Sequence, residues 1–515
     1  MSKGMKTEVV VIGGGATGAG VFRDLALRGI DTVLLEKNEF TSGTSGRNHG
    51  LLHSGGRYAV KDPDSGRECI RENLILKRIA APCIEDTGGF FLSANPDPPD
   101  YPDQFLRACE SIGIPAEEIP IADVLHKEPA LSAHIVRAIR VPDGAIDPFR
   151  LIRANVEEAL RLGAKAFPHR EVTSIQTDGG SIRGLRAKDN RTGEEWEIQC
   201  RFIINAAGVW AGKIARMAGA RLEVVFSKGS LIVLNQRLVN TVINRCRLPS
   251  NGDIFVPHGP ALILGTTSQA AEEIEEPAAS EEEVDLLLSE GETLIPGVSA
   301  TRAIRAYAGV RPLIGAREAE GDSRTIGRDF LLLNHGEAVG VRGLFSIVGG
   351  KLTTYRLMAE RTVDAICREM GKKVLCTTAE KPLPFPREYS FHDLGSRLSR
   401  ISGTGSSSEI LCECELVTRK EILEELPKLS FPTLKEVQER TRAGMGPCQG
   451  GFCSPRLTAL LAEAGKIPPG TSLPVLKKFL EERWKGTRPV LWGSQLKEEQ
   501  LIQALYAELF NLDHL

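Results

Sequence analysis

The sequence has almost no net charge and no long apolar run. Lys plus Arg number 64 against 67 for Asp plus Glu, a formal charge of −3 over 515 residues. No global field therefore draws in nucleic acid or an anionic membrane, and any anion the chain binds must meet cations gathered locally. No stretch of about 18 uncharged apolar residues occurs, which excludes a membrane-crossing helix. The segment before the first apolar strand, Met1 to Thr7, is too short and polar for a secretory signal, so the expected location is the cytoplasm, with membrane contact made through partners. Disulfide spacing is also missing. Of the 11 cysteines, Cys69, Cys83, Cys109, Cys200, Cys246, Cys367 and Cys376 stand singly, as reduced core residues do. The length exceeds what one hydrophobic core usually fills, and two to four domains are expected.

What is present begins at residue 7, TEVVVIGGGATGAGVFRDLALRGIDTVLLEK. A buried strand, Val9 to Ile12, meets Gly13-Gly14-Gly15-Ala16-Thr17-Gly18; a helix with Val21, Leu25 and Ala26 on one face follows, and a second strand ends at Glu36-Lys37. Gly13 permits the tight turn, Gly15 lets backbone approach a diphosphate, and Gly18 lets helix and strand touch. The helix N-terminus supplies unpaired N–H groups and positive potential. Glu36 is placed to accept from ribose hydroxyls and to disfavour a 2′-phosphate. The motif alone is weak evidence, but in a strand–loop–helix–strand–acid context it predicts dinucleotide binding.

Three further segments favour a flavin. TSGTSGRNHG (residues 41 to 50) is a poor core element but a good second lining for a diphosphate or ring, through Thr44, Ser45, Arg47 and Asn48. FIINAAGVWAG (202 to 212) breaks from a buried strand into small residues, with Ala206, Gly208 and Trp210 at the break. LFSIVGGKLTTYRLMAERTVDAI (344 to 366) brings a strand to Gly349-Gly350 and Leu352 before an amphipathic helix. Aimed at the pyrimidine side of an isoalloxazine, that second helix N-terminus would favour the anionic reduced ring. Between these pieces lie β-rich runs, Glu171 to Thr177, Ser181 to Ala187, Trp196 to Ile204, Leu222 to Leu234, Asp253 to Val256 and Ala261 to Gly265. They predict an antiparallel or mixed sheet inserted into the nucleotide-binding unit as a substrate wall.

The chain resembles the FAD-dependent glycerol-3-phosphate dehydrogenases, and most of all the catalytic subunit of the anaerobic, multi-subunit type. The resemblance is carried from about residue 7 to about residue 510 by GGGATGAG, TSGRNHGLLHSGGRYAV, VPDGAIDPFRL, INAAGVW, KGSLIVL, INRCRLPSNGDI, GTTS, AYAGVRPL and GGKLTTYRLMAE. It implies an α/β fold of the D-amino-acid oxidase type: an FAD-binding Rossmann-like domain with an inserted antiparallel or mixed-sheet substrate domain, nucleotide-binding segments falling near 7–80, 145–215 and 340–370. Val172 completes the cofactor set. The implied reaction is oxidation of sn-glycerol 3-phosphate to dihydroxyacetone phosphate, with electrons leaving through FAD toward a quinone.

A phosphate monoester on a nearly neutral protein requires several cations in one pocket. Arg57, Arg311, Arg328 and Lys351 match cationic positions of the family. Hydride loss from C2 also needs an acceptor for the hydroxyl proton; an imidazole in general titrates near working pH, and His53 matches a family histidine. Tyr58 and Thr353 are expected to orient the hydroxyl. His49 lies in a segment where the aerobic relatives differ. Two alternatives stay open: a flavoprotein of the same fold acting on a 2-hydroxy acid or an amine, and a non-catalytic flavin and cluster relay.

From Thr377 to Ser408 the chain turns Pro-, Ser- and Gly-rich and reads as a linker closing a flavin unit of residues 1–376. A small domain, 409–460, then carries Cys412-x-Cys414 and Cys448-x4-Cys453. Structural zinc favours CxxC knuckles, so the spacing points to a [2Fe–2S] cluster, with zinc as the alternative occupant. The segment also looks like a bacterioferritin-associated ferredoxin module. A helical tail, 461–515, either caps this domain or faces a partner. The resemblance implies two partners, a second flavin subunit plus an iron–sulfur membrane-anchor subunit, which would hold the chain on the inner face of the membrane.

Overall fold

The computed structural model describes residues 3–314, 329–385, 394–403, 409–429 and 433–512. Arg328 lies outside the described residues. The nucleotide-binding sheet has six strands in the order Lys165–Phe167, Thr32–Leu35, Val9–Ile12, Phe202–Asn205, Leu344–Gly349 and Phe330–Asn334. The first five are parallel and the last antiparallel. Alternation along Val9–Ile12 assigns its side chains to two layers. Val9 and Val11 pack with the helices Ala16–Leu27, Pro148–Arg161 and Tyr355–Met370, whereas Val10 and Ile12 pack with Val172, Leu185 and Ile198 of a four-stranded sheet. Both faces are covered, so this strand is uniformly apolar.

That second cover corrects one expectation. Residues 170–199 form a meander, Arg170–Asp178, Ser181–Asp189 and Glu195–Gln199, that joins Lys3–Lys6 and lies on the nucleotide-binding sheet. They are not part of the substrate wall. The run read as Trp196 to Ile204 is two elements, because it breaks after Gln199 and Phe202–Asn205 enters the parallel sheet. The inserted sheet, expected as the substrate wall, is nine-stranded and mixed. Its longest ladder pairs Val225–Leu234 with Ala303–Leu313 and sets Ser227 opposite Arg311 and Gly229 opposite Gly309.

The Pro-rich segment is docked at its start. Leu383 is buried and donates its N–H to Ile79 O at 2.9 Å, and Arg23 Nη2 donates to Lys381 O at 2.8 Å. A hairpin, Ile410–Cys412 with Val417–Thr418, then opens a helical domain with its own core, including Leu411, Ile422, Leu457 and Ile502. The tail joins two cores. Leu476 and Ile502 pack with the thiol domain, whereas Val490 is fully buried among Val284, Leu287 and Phe255 of the substrate domain. Of the singly spaced cysteines, Cys376 alone retains partial exposure and the other six are buried.

Buried charge ties the helices together. Arg356 donates to both oxygens of Glu72, at 2.6 and 2.7 Å, with both side chains at most 2% exposed. Replacing Arg356 with Met strands a carboxylate in the core and is expected to cost about 3–5 kcal/mol, read as a lower midpoint in urea unfolding. The pair Glu72→Leu and Arg356→Met is expected to recover most of that loss.

Candidate active site and thiol cluster

A cavity of about 680 Å³ opens between the two large sheets. The phosphate loop lies at one end. Gly13 has φ +111°, and a Cβ there would sit 2.5 Å from Ala206 O; at Gly18 a Cβ would sit 1.8 Å from Gly13 O. Both positions exclude a side chain. The helix Ala16–Leu27 starts at Gly15 without a side-chain cap, and Ser45 Oγ accepts from Ala16 N at 3.0 Å. The segment at 41–50 thus folds back over the loop. Thr44 Oγ1 donates to Val310 O at 2.6 Å, and Asn48 Nδ2 donates to Ser45 O at 2.6 Å. Gly15, Ala16, Thr17, Arg47, Val172, Ala206, Gly208, Gly349, Gly350 and Leu352 line the same cavity.

Glu36 lines the cavity with both oxygens already engaged, one by Gly14 N at 2.7 Å and one by Asn38 N at 2.8 Å. Burial pushes its pKa up despite these donors. Lys37 turns to the rim. Its Nζ lies 3.7 Å from the Trp210 ring centroid and 2.8 Å from Glu275, which also accepts from Trp210 Nε1 at 2.6 Å.

The other end of the cavity is cationic. Arg57, Arg311 and Lys351 all line it, with His49, His53 and Tyr58. Arg57 Nη2 donates to Asp253 at 3.1 Å. Arg311 donates to Thr266 Oγ1 and, at 3.4 Å, to Ser227 Oγ. Lys351 Nζ donates to Ser65 Oγ at 3.0 Å and stands 4.9 Å from the Tyr58 ring centroid. The His53 ring is 5.6 Å from Tyr58 and 6.1 Å from His49. Thr353 is buried below the cavity, where its Oγ1 accepts from the His53 backbone N at 3.2 Å.

Several contributors carry no motif of their own. Gly229 is the floor under Arg311, since a Cβ there would lie 2.2 Å from Nη2. The only hint in the sequence is a glycine inside an otherwise β-rich run. Asp253 is fully buried and also binds Arg247 Nε at 3.0 Å, which fixes Arg57 through a shared carboxylate. His49 is pushed down to about 3 by burial and by the Arg311 and Arg57 charges, so its ring is neutral at working pH. Its Nδ1 accepts from Leu51 N at 3.3 Å, which assigns the proton to Nε2.

Far along the chain the four paired cysteines meet. Cys412 and Cys414 sulfurs are 3.9 Å apart, Cys414 and Cys448 are 3.6 Å apart, and all four thiols are free. Hydrogen bonds from the Cys414 and Cys453 thiols hold the Cys412 thiol well below its ordinary range against the effect of burial, with Gly444 N adding to them. A donor set of four sulfurs with a backbone N–H aimed at one of them suits an iron–sulfur cluster.

Residues 8–356 match the FAD dependent oxidoreductase family, and residues 410–463 match the BFD-like [2Fe-2S] binding domain. Over 98% of its length the chain is 41% identical to a subunit of the anaerobic glycerol-3-phosphate dehydrogenase of Escherichia coli (strain K12), covering 97% of that protein. The chain belongs to that family. It is also 42% identical to a subunit of the anaerobic glycerol-3-phosphate dehydrogenase of Haloferax volcanii, over 98% of this chain and 91% of that one. Among solved folds, the glycerol-3-phosphate dehydrogenase from Bacillus halodurans complexed with FAD superposes with a TM-score of 0.66 at 23% identity, covering 95% of this chain and 96% of that one. The [2Fe–2S] reading of the four thiols therefore stands over zinc. The bare loop at Gly13 and Gly18 fits a flavin diphosphate.

Gly18→Ala is expected to lower bound flavin at least tenfold, about 1.4 kcal/mol, in the absorbance spectrum of the purified protein. Cys448→Ser is expected to lower iron per chain while leaving the flavin bands in place.

Proposed function

We propose that the chain oxidises sn-glycerol 3-phosphate at C2 to dihydroxyacetone phosphate as the catalytic subunit of a membrane-associated complex. The observation that carries this reading is the convergence of Arg57, Arg311 and Lys351 on one cavity beside His53. FAD, when bound, supplies the acceptor for the C2 hydride.

The chain's own residues bind and orient. Arg57, Arg311 and Lys351, with Arg328, grip the phosphate, and the guanidinium forks match its oxygens. A ring nitrogen of His53 takes the C2 hydroxyl proton while Thr353 fixes the backbone below it. Tyr58 and the Nε2–H of His49 steer the oxygen. Glu36, Lys37, Thr44, Ser45, Arg47, Asn48 and the glycine-rich segments cradle the cofactor. Electrons then leave through the thiol domain to a second flavin subunit, an iron–sulfur membrane-anchor subunit, then a quinone. Among the described residues no helix is long and apolar enough to cross a membrane. Attachment to the inner face of the membrane therefore falls to those partners.

Adding glycerol 3-phosphate without oxygen is expected to bleach the oxidised flavin and then reduce the cluster, whereas 2-hydroxyglutarate and sarcosine leave the spectrum unchanged. Bleaching by either of the latter alone would overturn the substrate. His53→Gln is expected to slow flavin reduction about 100-fold in stopped flow with little change in substrate affinity. Gly229→Ala pushes Arg311 aside, and the expected result is a roughly tenfold higher KM, about 1.4 kcal/mol, with a smaller effect on kcat.

A further inference from the structure

The strand Ala303–Leu313 continues beyond the cavity. Alternate residues of a strand share a face, so Arg305, Tyr307, Gly309 and Arg311 form one line. Arg311 lines the cavity. At Gly309 a Cβ would sit 2.4 Å from Arg47 O. Tyr307 Oη donates to Asn48 O at 2.8 Å, and Arg305 Nη1 donates to Gln449 Oε1 at 3.1 Å. Six residues of strand span about 20 Å, so one element reaches from the cationic end of the cavity to the residue beside Cys448.

Gln449 is built for this contact. Its φ is +49°, a left-handed conformation that a side chain other than glycine rarely adopts. Its Nε2 donates to Met445 O and Gly446 O, both at 3.0 Å, which aims Oε1 at Arg305. The helix Ser472–Thr487 makes room, since a Cβ at Gly486 would sit 2.6 Å from Arg305 Nη2. Arg305, on the sheet, differs from arginines of the thiol domain and the tail that packs on it. Arg442 pairs with Glu415, Arg456 with Glu413 and Arg483 with Glu499. Among the described residues the only hydrogen-bond acceptor of the Arg305 guanidinium is the neutral Gln449 amide. Part of the side chain reaches the interdomain cleft, but Nε is sealed from solvent without a partner. Burial, and then the Arg483 charge, pull its pKa below the usual guanidinium range against the opposing pull of Tyr307 and Glu482.

A largely buried cation with no carboxylate in hydrogen-bond contact is costly unless further negative charge arrives nearby. Four thiolates around a [2Fe–2S] core carry net negative charge that grows by one on reduction, and net charge and hydrogen bonds set such potentials. We propose that Arg305 is the counter-cation of the thiol site, held by Gln449, the residue that follows Cys448 in the chain, so that electrons leaving the flavin cavity settle on the cluster. The step moves one electron from the substrate-reduced flavin of the same chain, and one ferric iron becomes ferrous. No proton goes to the cluster. Arg305 acts through Gln449 and is a positioning residue. The proposal rests on the [2Fe–2S] reading of this domain.

The test is a potentiometric titration of the full chain carrying flavin and iron, with the cluster followed by electron paramagnetic resonance. Arg305→Met is expected to lower the cluster's share of electrons at least tenfold, about 60 mV for a one-electron couple. Arg305→Lys keeps the charge and is expected to restore most of that share. Gln449→Glu offers the guanidinium a carboxylate and is expected to shift the potential in the same direction as Arg305→Met. It decides the matter alone should Arg305→Met fail to fold. Flavin reduction by substrate is expected to keep its rate in all three. An unchanged potential in an iron-replete Arg305→Met or Gln449→Glu protein overturns the proposal and leaves the domain reading intact. A chain that takes up iron but shows no cluster resonance on reduction removes both.

Discussion

The ladder between Val225–Leu234 and Ala303–Leu313 is the constraint on which the site depends. Its register sets two bare backbones opposite each other, Gly229 and Gly309. One accommodates the Arg311 guanidinium and the other the Arg47 carbonyl. A slip of one residue would turn every side chain of the strand to the other face of the sheet. Arg311 would leave the cavity, and the loop at 41–50 would lose its seat. That loop ties the phosphate loop to this wall, by Ser45 on Ala16 N and by Thr44 on Val310 O.

Charge in this chain is managed pair by pair. The near-zero total conceals a set of buried arginines, each facing its own carboxylate: Arg23 with Glu158, Arg245 with Asp97, Arg356 with Glu72. Such pairs add little net stability over apolar residues but fix which helix meets which. The cavity applies the same logic unevenly. Arg57 shares Asp253 with Arg247, whereas His49 beside these cations is kept neutral by burial first and by Arg311 and Arg57 after it. Local concentration of like charge, rather than composition, gives an almost neutral protein a cavity lined by Arg57, Arg311 and Lys351.

Much of this was legible in the sequence because the chemistry was local. The glycine loop, the acid after the second strand and the cysteine spacing each demand one backbone conformation or one donor set, and a short window contains it. Allocation of strands to sheets was not legible. The alternation in Arg170–Asp178 marks a half-buried strand but is silent on its neighbour, and only the packing of Val172 and Ile175 with Val10 and Ile12 decides it. Partners distant in sequence were equally hidden. Asp253 and Gly229 matter because of arginines 196 and 82 positions away, and neither residue type announces that alone. Thr353, read as a substrate-facing hydroxyl, sits beneath His53 for the same reason, since its hydrogen-bond partner is 300 residues upstream.

The placement of Val490 bears on how the polypeptide is made. Its socket among Val284, Leu287 and Phe255 belongs to a wall whose strand Gly89–Ala94 emerges early in synthesis. Domains generally fold in order as the ribosome delivers them. Here the plug lies roughly 400 residues downstream of that strand, so the wall stays open until the thiol domain has been made. A chain arrested within the thiol domain leaves that apolar socket without its Val490 side chain.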